Sequence, residues 1–81
     1  MNARSKNHGF PLAMAHEGDM LRIEALLGGI GMARRVSEMG LTIGSEIIVH
    51  QRQGCGLVIS RGETRFALGA GMAHKIMVSK V

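Results

Sequence analysis

The chain has 81 residues, which is enough for one domain with a small core and excludes a second domain. Ten Lys and Arg residues against six Asp and Glu residues give a net charge of +4, which favours anionic partners in general, although the charge is dispersed. A single cysteine, no visible export signal and no apolar run near the ~20 residues of a membrane span predict a cytoplasmic protein without membrane insertion.

The N-terminal part combines a polar segment with a strand-like one. Residues 1–9 are polar and lack periodicity, so we expect a flexible tail, followed by one domain over residues 10–81. Leu12–Met14 favours a short helical turn. From Met20 to Leu27 apolar and polar residues alternate, which predicts a half-buried strand. Its inward face is predicted to hold Leu21, Ile23, Ala25 and Leu27.

A short helix is predicted after the glycine-rich segment that ends this strand. Met32, Val36 and Met39 recur at helical spacing and form one apolar stripe. Gly40 lies where a left-handed helix cap is expected, and Leu41 can pack back on Val36, as in a Schellman motif. The helix is therefore expected to end at a defined position.

The rest of the chain alternates between short strand-like segments and glycine-containing turns. Strands are predicted at Glu46–Arg52, Leu57–Ser60, Thr64–Leu68 and Lys75–Val81. The connection through Gly62 is typical of a hairpin. Five short strands with one inserted α-helix indicate a mainly β fold. A small SH3-like β-barrel is the simplest arrangement that hides the strand edges.

Three segments also resemble a known family. The run G-G-I-G-M-A-R-R-V-S-E-M-G-L-T-I-G-S-E-I, from Gly28 to Ile47, resembles the central motif of ferrous iron transport protein A. The pattern P-L-x-x-x-x-x-G-D from Pro11 and the run G-M-A-H-K-I-M-V from Gly71 resemble its start and its C-terminal half. The resemblance covers the chain from Pro11 to Lys80.

This resemblance implies a small SH3-like barrel of the cytoplasm that assists ferrous iron uptake. Proteins of the family are expected to dock on the membrane permease, ferrous iron transport protein B, which carries a cytosolic GTP-binding domain. The chain would then be held at the inner face of the membrane through its partner. The same fold resembles the C-terminal domain of iron-dependent repressors, so kinship alone does not fix a role.

The predicted helix offers a candidate docking patch. Arg34, Arg35 and Glu38 are expected to present polar contacts, since arginine is enriched in binding hot spots. The alternative is that both arginines form an ordinary solvated face. The rim of the patch is predicted at Met39, Gly40 and Leu41.

The metal-ligating side chains lack the spacing of a metal site. No pair follows a pattern such as C-x-x-C or H-x-x-x-H, so no iron site is predicted and no cofactor is required. Adventitious Zn²⁺ or Fe²⁺ could still bridge two copies in a homodimer. The weak candidates are His50, Cys55 and His74, with His8 and His16 as further donors.

Catalysis and nucleic-acid binding are both disfavoured. Cys55 lies between two glycines with no evident general base, so we expect no enzyme activity. The alternative function is an SH3-like regulatory or nucleic-acid-binding domain related to the repressor C-terminal domain. Only Phe10 and Phe66 are aromatic, and the chain shows neither a helix-turn-helix pattern nor a concentrated basic stripe, so no nucleic-acid partner is expected.

Overall fold

A computed structural model of the protein describes residues 9–81, and these residues form one six-stranded antiparallel sheet. The strands are β1 (Phe10–Pro11), β2 (Met20–Leu26), β3 (Glu46–Gln53), β4 (Gly56–Arg61), β5 (Thr64–Leu68) and β6 (Ile76–Lys80). A 3-10 turn (Leu12–Met14) and two helices, α1 (Gly29–Glu38) and α2 (Ala70–Ala73), complete the described part of the chain. In this part, no helix has the length and apolar character needed to cross a membrane.

The strand order is β1-β6-β2-β3-β4-β5, so the last strand in the sequence lies inside the sheet between β1 and β2. The predicted mainly β architecture is confirmed, with all five expected strands present. The sixth strand, β1, has two residues and pairs Phe10 with Val78 and Pro11 with Met77 of β6. Proline is tolerated there because β1 lies at the sheet edge. Within residues 9–81 no pairing joins β1 to β5, which leaves a seam between them.

The core is aliphatic and is supplied by alternate strand residues together with α1. Leu, Ile, Val and Met side chains fill it, as the scarcity of aromatic residues requires. Both phenylalanines are only partly buried and pack against this core. The fully buried large side chains are Leu12, Leu21, Ile23, Val36, Leu41, Ile47, Val49, Leu57, Ile59, Ile76 and Val78.

The inward face predicted for β2 is correct at its start and wrong at its end. Leu21 and Ile23 are buried, but a register shift follows Ile23 in the pairing of β2 with β6. An extra residue at a bulge reverses the alternation of side chains beyond it. Leu26 therefore packs against the core, and Leu27 is 50% exposed.

The described part of the chain begins at Gly9, the last residue of the predicted tail. Residues 1–8 of the predicted tail lie outside the described part of the chain. Gly9 was assigned to the tail, but it is half-buried and its backbone lies against the carbonyl of Val78 in β6. Gly9 thus lies next to β6 at the start of the described residues.

Candidate functional site

Helix α1 ends in a complete Schellman motif, as the sequence predicts. The backbone N–H of Leu41 donates to the carbonyl of Val36 at 3.1 Å, and that of Gly40 donates to the carbonyl of Ser37 at 2.9 Å. Gly40 has φ +86°, a conformation that glycine adopts without the steric cost of a Cβ. These two bonds fix the end of the helix and the direction of the chain beyond it.

Four of the six predicted patch residues are exposed. Arg34, Arg35 and Glu38 lie on the surface of α1, while Gly40 is exposed and Met39 is half-buried against the core. The sixth predicted residue, Leu41, does not lie on this surface. Leu41 is 1% exposed, because the Schellman geometry turns it back into the core beside Val36.

A groove of about 350 Å³ lies between α1 and the segment that contains α2. Its lining combines two methionines, two cations and small glycine positions. From α1 and its N-cap come Gly28, Met32 and Arg35, and from the α2 segment come Gly69, Met72 and Lys75. We call it the α1–α2 groove.

Backbone contacts hold the two sides of the α1–α2 groove together. The N–H of Leu27 donates to the carbonyl of Lys75 at 2.7 Å, immediately before the N-cap of α1. Gly28 has φ +96° and lies close to the aliphatic stem of Lys75, such that a Cβ at this glycine would be 3.1 Å from Lys75 Cδ. The glycine thus permits the close approach of the two segments.

The surroundings of the groove include exposed apolar side chains. Ile30, in the first turn of α1, is 79% exposed, and Leu27 just before the helix is 50% exposed. Single exposed apolar side chains are ordinary on protein surfaces, so Leu27 and Ile30 do not by themselves mark an interface.

Of the residues that line the groove, only Arg35 was predicted as a site residue from the sequence. Its two sides are more than thirty residues apart, from Gly28–Arg35 to Gly69–Lys75. No local periodicity reports such a juxtaposition. The run G-M-A-H-K, one of the segments that resemble the family, supplies Met72 and Lys75.

The candidate metal ligands lie in different elements. Cys55 is exposed at the tip of the β3–β4 hairpin, and His74 is exposed at the end of α2. His50 of β3 is half-buried, and its Nε2 is 2.7 Å from the Ser60 hydroxyl. Across residues 9–81, no three His, Cys, Asp or Glu side chains are grouped as metal ligands would be.

His8 and His16 are the other two candidate donors. His8 lies outside the described residues. The backbone N–H of His16 donates to the carboxylate of Asp19 at 2.9 Å, which stabilises the turn before β2. The imidazole of His16 is itself exposed, with its Nδ1 3.9 Å from the Asp19 carboxylate.

Comparison with known proteins identifies the family. The family model of the FeoA domain matches residues 10–80. The chain is 38% identical over 69 residues to a Methanocaldococcus jannaschii protein provisionally named Fe(2+) transport protein A, covering 85% of this chain and 84% of that one. A crystal structure of the iron uptake regulatory protein FeoA superposes with a TM-score of 0.81 at 38% identity, covering 89% of this chain and 96% of that one.

A more distant match supports the architecture alone. The metal-dependent transcriptional regulator MtsR superposes with a TM-score of 0.81 at 15% identity, covering 89% of this chain and 36% of that protein. The fold is the SH3-like barrel that the sequence predicts. Its family is equally clear: the chain belongs to the FeoA family of ferrous iron transport protein A, as its motifs indicate.

Proposed function

We propose that the protein is a non-catalytic accessory component of ferrous iron uptake that docks on the cytosolic part of the membrane permease, ferrous iron transport protein B, and modulates it. The observation that carries this proposal is the capped helix α1, whose polar residues stand exposed in a chain of the FeoA family. The name of the M. jannaschii relative, which refers to Fe(2+) transport, supports the same role. The protein would act in the cytoplasm, at the inner face of the membrane.

The docking patch that we propose consists of Arg34, Arg35, Glu38, Met39 and Gly40. Its backbone is fixed before binding by the Schellman hydrogen bonds, so little conformational entropy is lost when a partner binds. Arginine and methionine are both enriched at protein interfaces. Leu41 is excluded from this surface by its burial.

Titration against the isolated cytosolic domain of the permease tests the proposal. Replacing Arg34 and Arg35 together by alanine is expected to weaken binding by about tenfold or more, since arginines at the centre of an interface dominate its energy. The matched control replaces Arg61 and Arg65, exposed cations of the β4–β5 hairpin, by alanine. Equal affinities for the wild type and the Arg34/Arg35 variant would remove the patch from the proposal.

Modulation is tested separately from binding. The rate of GTP hydrolysis by the permease domain is measured with and without a saturating amount of this protein. A changed rate that returns to the basal value with the Arg34/Arg35 variant supports modulation through the patch. An unchanged rate in the presence of proven binding restricts the role to docking.

The alternative, a regulatory or nucleic-acid-binding domain, rests on the likeness of fold to MtsR, and fold does not fix function. Phe10 and Phe66 pack against the core, so the described residues offer no freely exposed aromatic ring for base stacking. A gel shift with DNA and RNA tests this alternative. Retardation that survives moderate salt would favour it, because non-specific electrostatic binding weakens steeply as salt rises.

A further inference from the structure

We propose that the α1–α2 groove recognises a short acidic segment of another polypeptide, in which one apolar residue lies between two carboxylate residues. This inference rests on the proposed docking function and specifies the chemistry of the partner segment. The acidic segment of the partner would bind in the groove, next to the exposed surface of α1.

The first observation is the arrangement of the groove along α1. Met32 and Arg35 are three positions apart on α1 and so lie on one face of the helix, while Gly28, the N-cap, lies just before its first turn. The stem of Lys75 lies beside Gly28 at one end of the groove, and Arg35 lies at the other. Met32 lies between them, and Met72 adds a second thioether to the lining. The groove therefore has a cation near each end, with two methionines and three glycines in the rest of its lining.

The second observation is the charge of the groove. Neither Arg35 nor Lys75 has a carboxylate within 4.0 Å among residues 9–81, whereas Arg22 pairs with Glu46 at 3.2 Å. No acidic residue lines the groove. Arginine and lysine can lay their aliphatic stems along an apolar surface and keep their charged heads in water. Both heads are thus available to carboxylates of a partner.

The dimensions favour an extended segment of about three residues. Gly28 and Arg35 are seven positions apart, which corresponds to about 10 Å along the axis of a helix. Carboxylate residues two positions apart in an extended chain are separated by about 6.6 Å, at ~3.3 Å per residue, and the long side chains of Arg35 and Lys75 span the remaining distance. In such a chain the middle side chain points to one face and its two neighbours to the other. The apolar residue would then enter the groove, and the carboxylates, which point away from its floor, would meet the charged heads of Arg35 and Lys75 where these extend past the margin into water.

Another protein fits this pattern better than a second copy of the chain. The six acidic residues are Glu17, Asp19, Glu24, Glu38, Glu46 and Glu63. The only two that flank a single residue are Glu17 and Asp19, and the residue between them is Gly18, which has no side chain to bury. The net charge of +4 also disfavours close approach of two copies and favours an acidic partner.

The test uses synthetic peptides and the full chain, followed by backbone NMR shifts, which detect weak binding. A capped peptide with Asp-Leu-Glu at the centre of a glycine-serine sequence is compared with Asn-Leu-Gln and Asp-Gly-Glu peptides. We expect the Asp-Leu-Glu peptide to shift amides of residues 28–35 and 69–75 and to bind at least about fivefold more tightly than either comparison peptide. Binding is expected to weaken as salt rises.

Two sets of variants locate the site. Arg35→Gln with Lys75→Gln removes both cations, and Gly71→Leu places a side chain at the groove, where a Cβ meets no atom within 4 Å. Both are expected to weaken binding by about tenfold. The matched controls are Arg65→Gln and Gly31→Leu; Gly31 is equally open but lies outside the groove lining. Thermal unfolding of every variant verifies that the fold is retained.

Several outcomes would overturn the inference. It fails if the three peptides bind equally, if none produces shifts, or if the controls reduce binding as much as the groove variants. Concentration-dependent self-association that Gly71→Leu abolishes would assign the groove to a second copy instead.

The permease domain separates this inference from the proposed function. If the domain binds the wild type and the Gly71→Leu variant equally, the groove inference fails and docking stands, because Gly71 lines the groove but lies outside the docking patch. If the domain does not bind the wild type, the proposed function fails, and the peptide comparison still decides what the groove recognises.

Discussion

The N–H of Leu41 donates to the carbonyl of Val36 at 3.1 Å, so the residue that follows the helix cap is turned back toward the helix it leaves. Both side chains are buried in the same core. The turn is possible because Gly40, between them, adopts φ +86°. The left-handed conformation of Gly40 thus allows the chain to leave the exposed end of α1 and return at once to the core.

Replacing Gly40 by alanine is expected to destabilise the protein by about 1 kcal/mol, the usual cost of a left-handed conformation for a residue with a Cβ. A Cβ at this position meets no atom within 4 Å, so the effect is one of backbone conformation alone. Urea unfolding measures it. Gly31→Ala is the control, because Gly31 lies inside α1 without a positive φ, and alanine there is expected to stabilise the helix by about 0.5–1 kcal/mol.

The burial of Leu41 predicts a large effect on stability. Leu41→Ala is expected to lower the free energy of unfolding by about 2–5 kcal/mol, because it leaves a cavity in the core. Ile43→Ala, two positions further along, is the control and should change stability by less than about 0.5 kcal/mol, since Ile43 is 62% exposed. Similar losses for the two variants would contradict the burial of Leu41.

A different glycine limits the packing of the β4–β5 hairpin. A Cβ at Gly56 would overlap the carbonyl oxygen of Leu68, which belongs to the neighbouring strand. Gly56→Ala must therefore displace the hairpin, and a loss of about 1–3 kcal/mol is expected from thermal or urea unfolding. Gly69→Ala is the matched control, because a Cβ there is unobstructed and the backbone φ is negative. An unchanged stability of Gly56→Ala would show that the hairpin relaxes freely.

Arg52 fastens the N-terminal 3-10 turn to β3. Its guanidinium donates to the carbonyls of Ala15 at 2.6 Å and Ala13 at 2.7 Å. Arg52→Met keeps much of the aliphatic stem and removes both bonds, so a loss of about 1–2 kcal/mol is expected. Hydrogen exchange should also become faster in residues 12–15. Arg61→Met, an exposed arginine of β4, is the control and should leave exchange in that segment unchanged.

The separation of the candidate metal ligands predicts weak metal binding. Calorimetry with Fe²⁺ or Zn²⁺ is expected to give no stoichiometric binding, because residues 9–81 contain no grouped ligands. The full chain is used, so that His8 is included. A heat of binding that disappears in a Cys55→Ser or His74→Asn variant would instead reveal a site formed between copies.

The sequence was most informative where structure is determined locally. The apolar stripe of α1 and the cap at Gly40 follow from spacing and from the conformational freedom of one residue, and both are confirmed. The hairpin through Gly62 is confirmed for the same reason, with Arg61 paired to Thr64. The fold class followed from the number and length of such elements and from the family resemblance.

The sequence was least informative where distant segments meet. Leu27 is exposed because the pairing of β2 with β6 shifts register after Ile23. The alternation of residues within β2 gives no sign of this shift. Strand β1 has two residues, too few to show any periodicity. The second side of the groove could not be predicted, because Lys75 lies beside Gly28 only once the whole sheet has packed.

The position of β6 between β1 and β2 has a consequence for the order of assembly. As the ribosome proceeds from the N-terminus, β1 and β2 emerge early, but the strand that joins them is synthesised last. Strands β2 to β5 can pair one after another as they are synthesised, because neighbours in the chain are neighbours in the sheet. Strand β1 pairs only with β6, so it cannot pair until nearly the whole domain has left the exit tunnel. Contacts between the two ends of a chain form slowly. Completion of the sheet is therefore expected to follow synthesis of the domain, and premature termination before Ile76 should leave β1 without its partner strand.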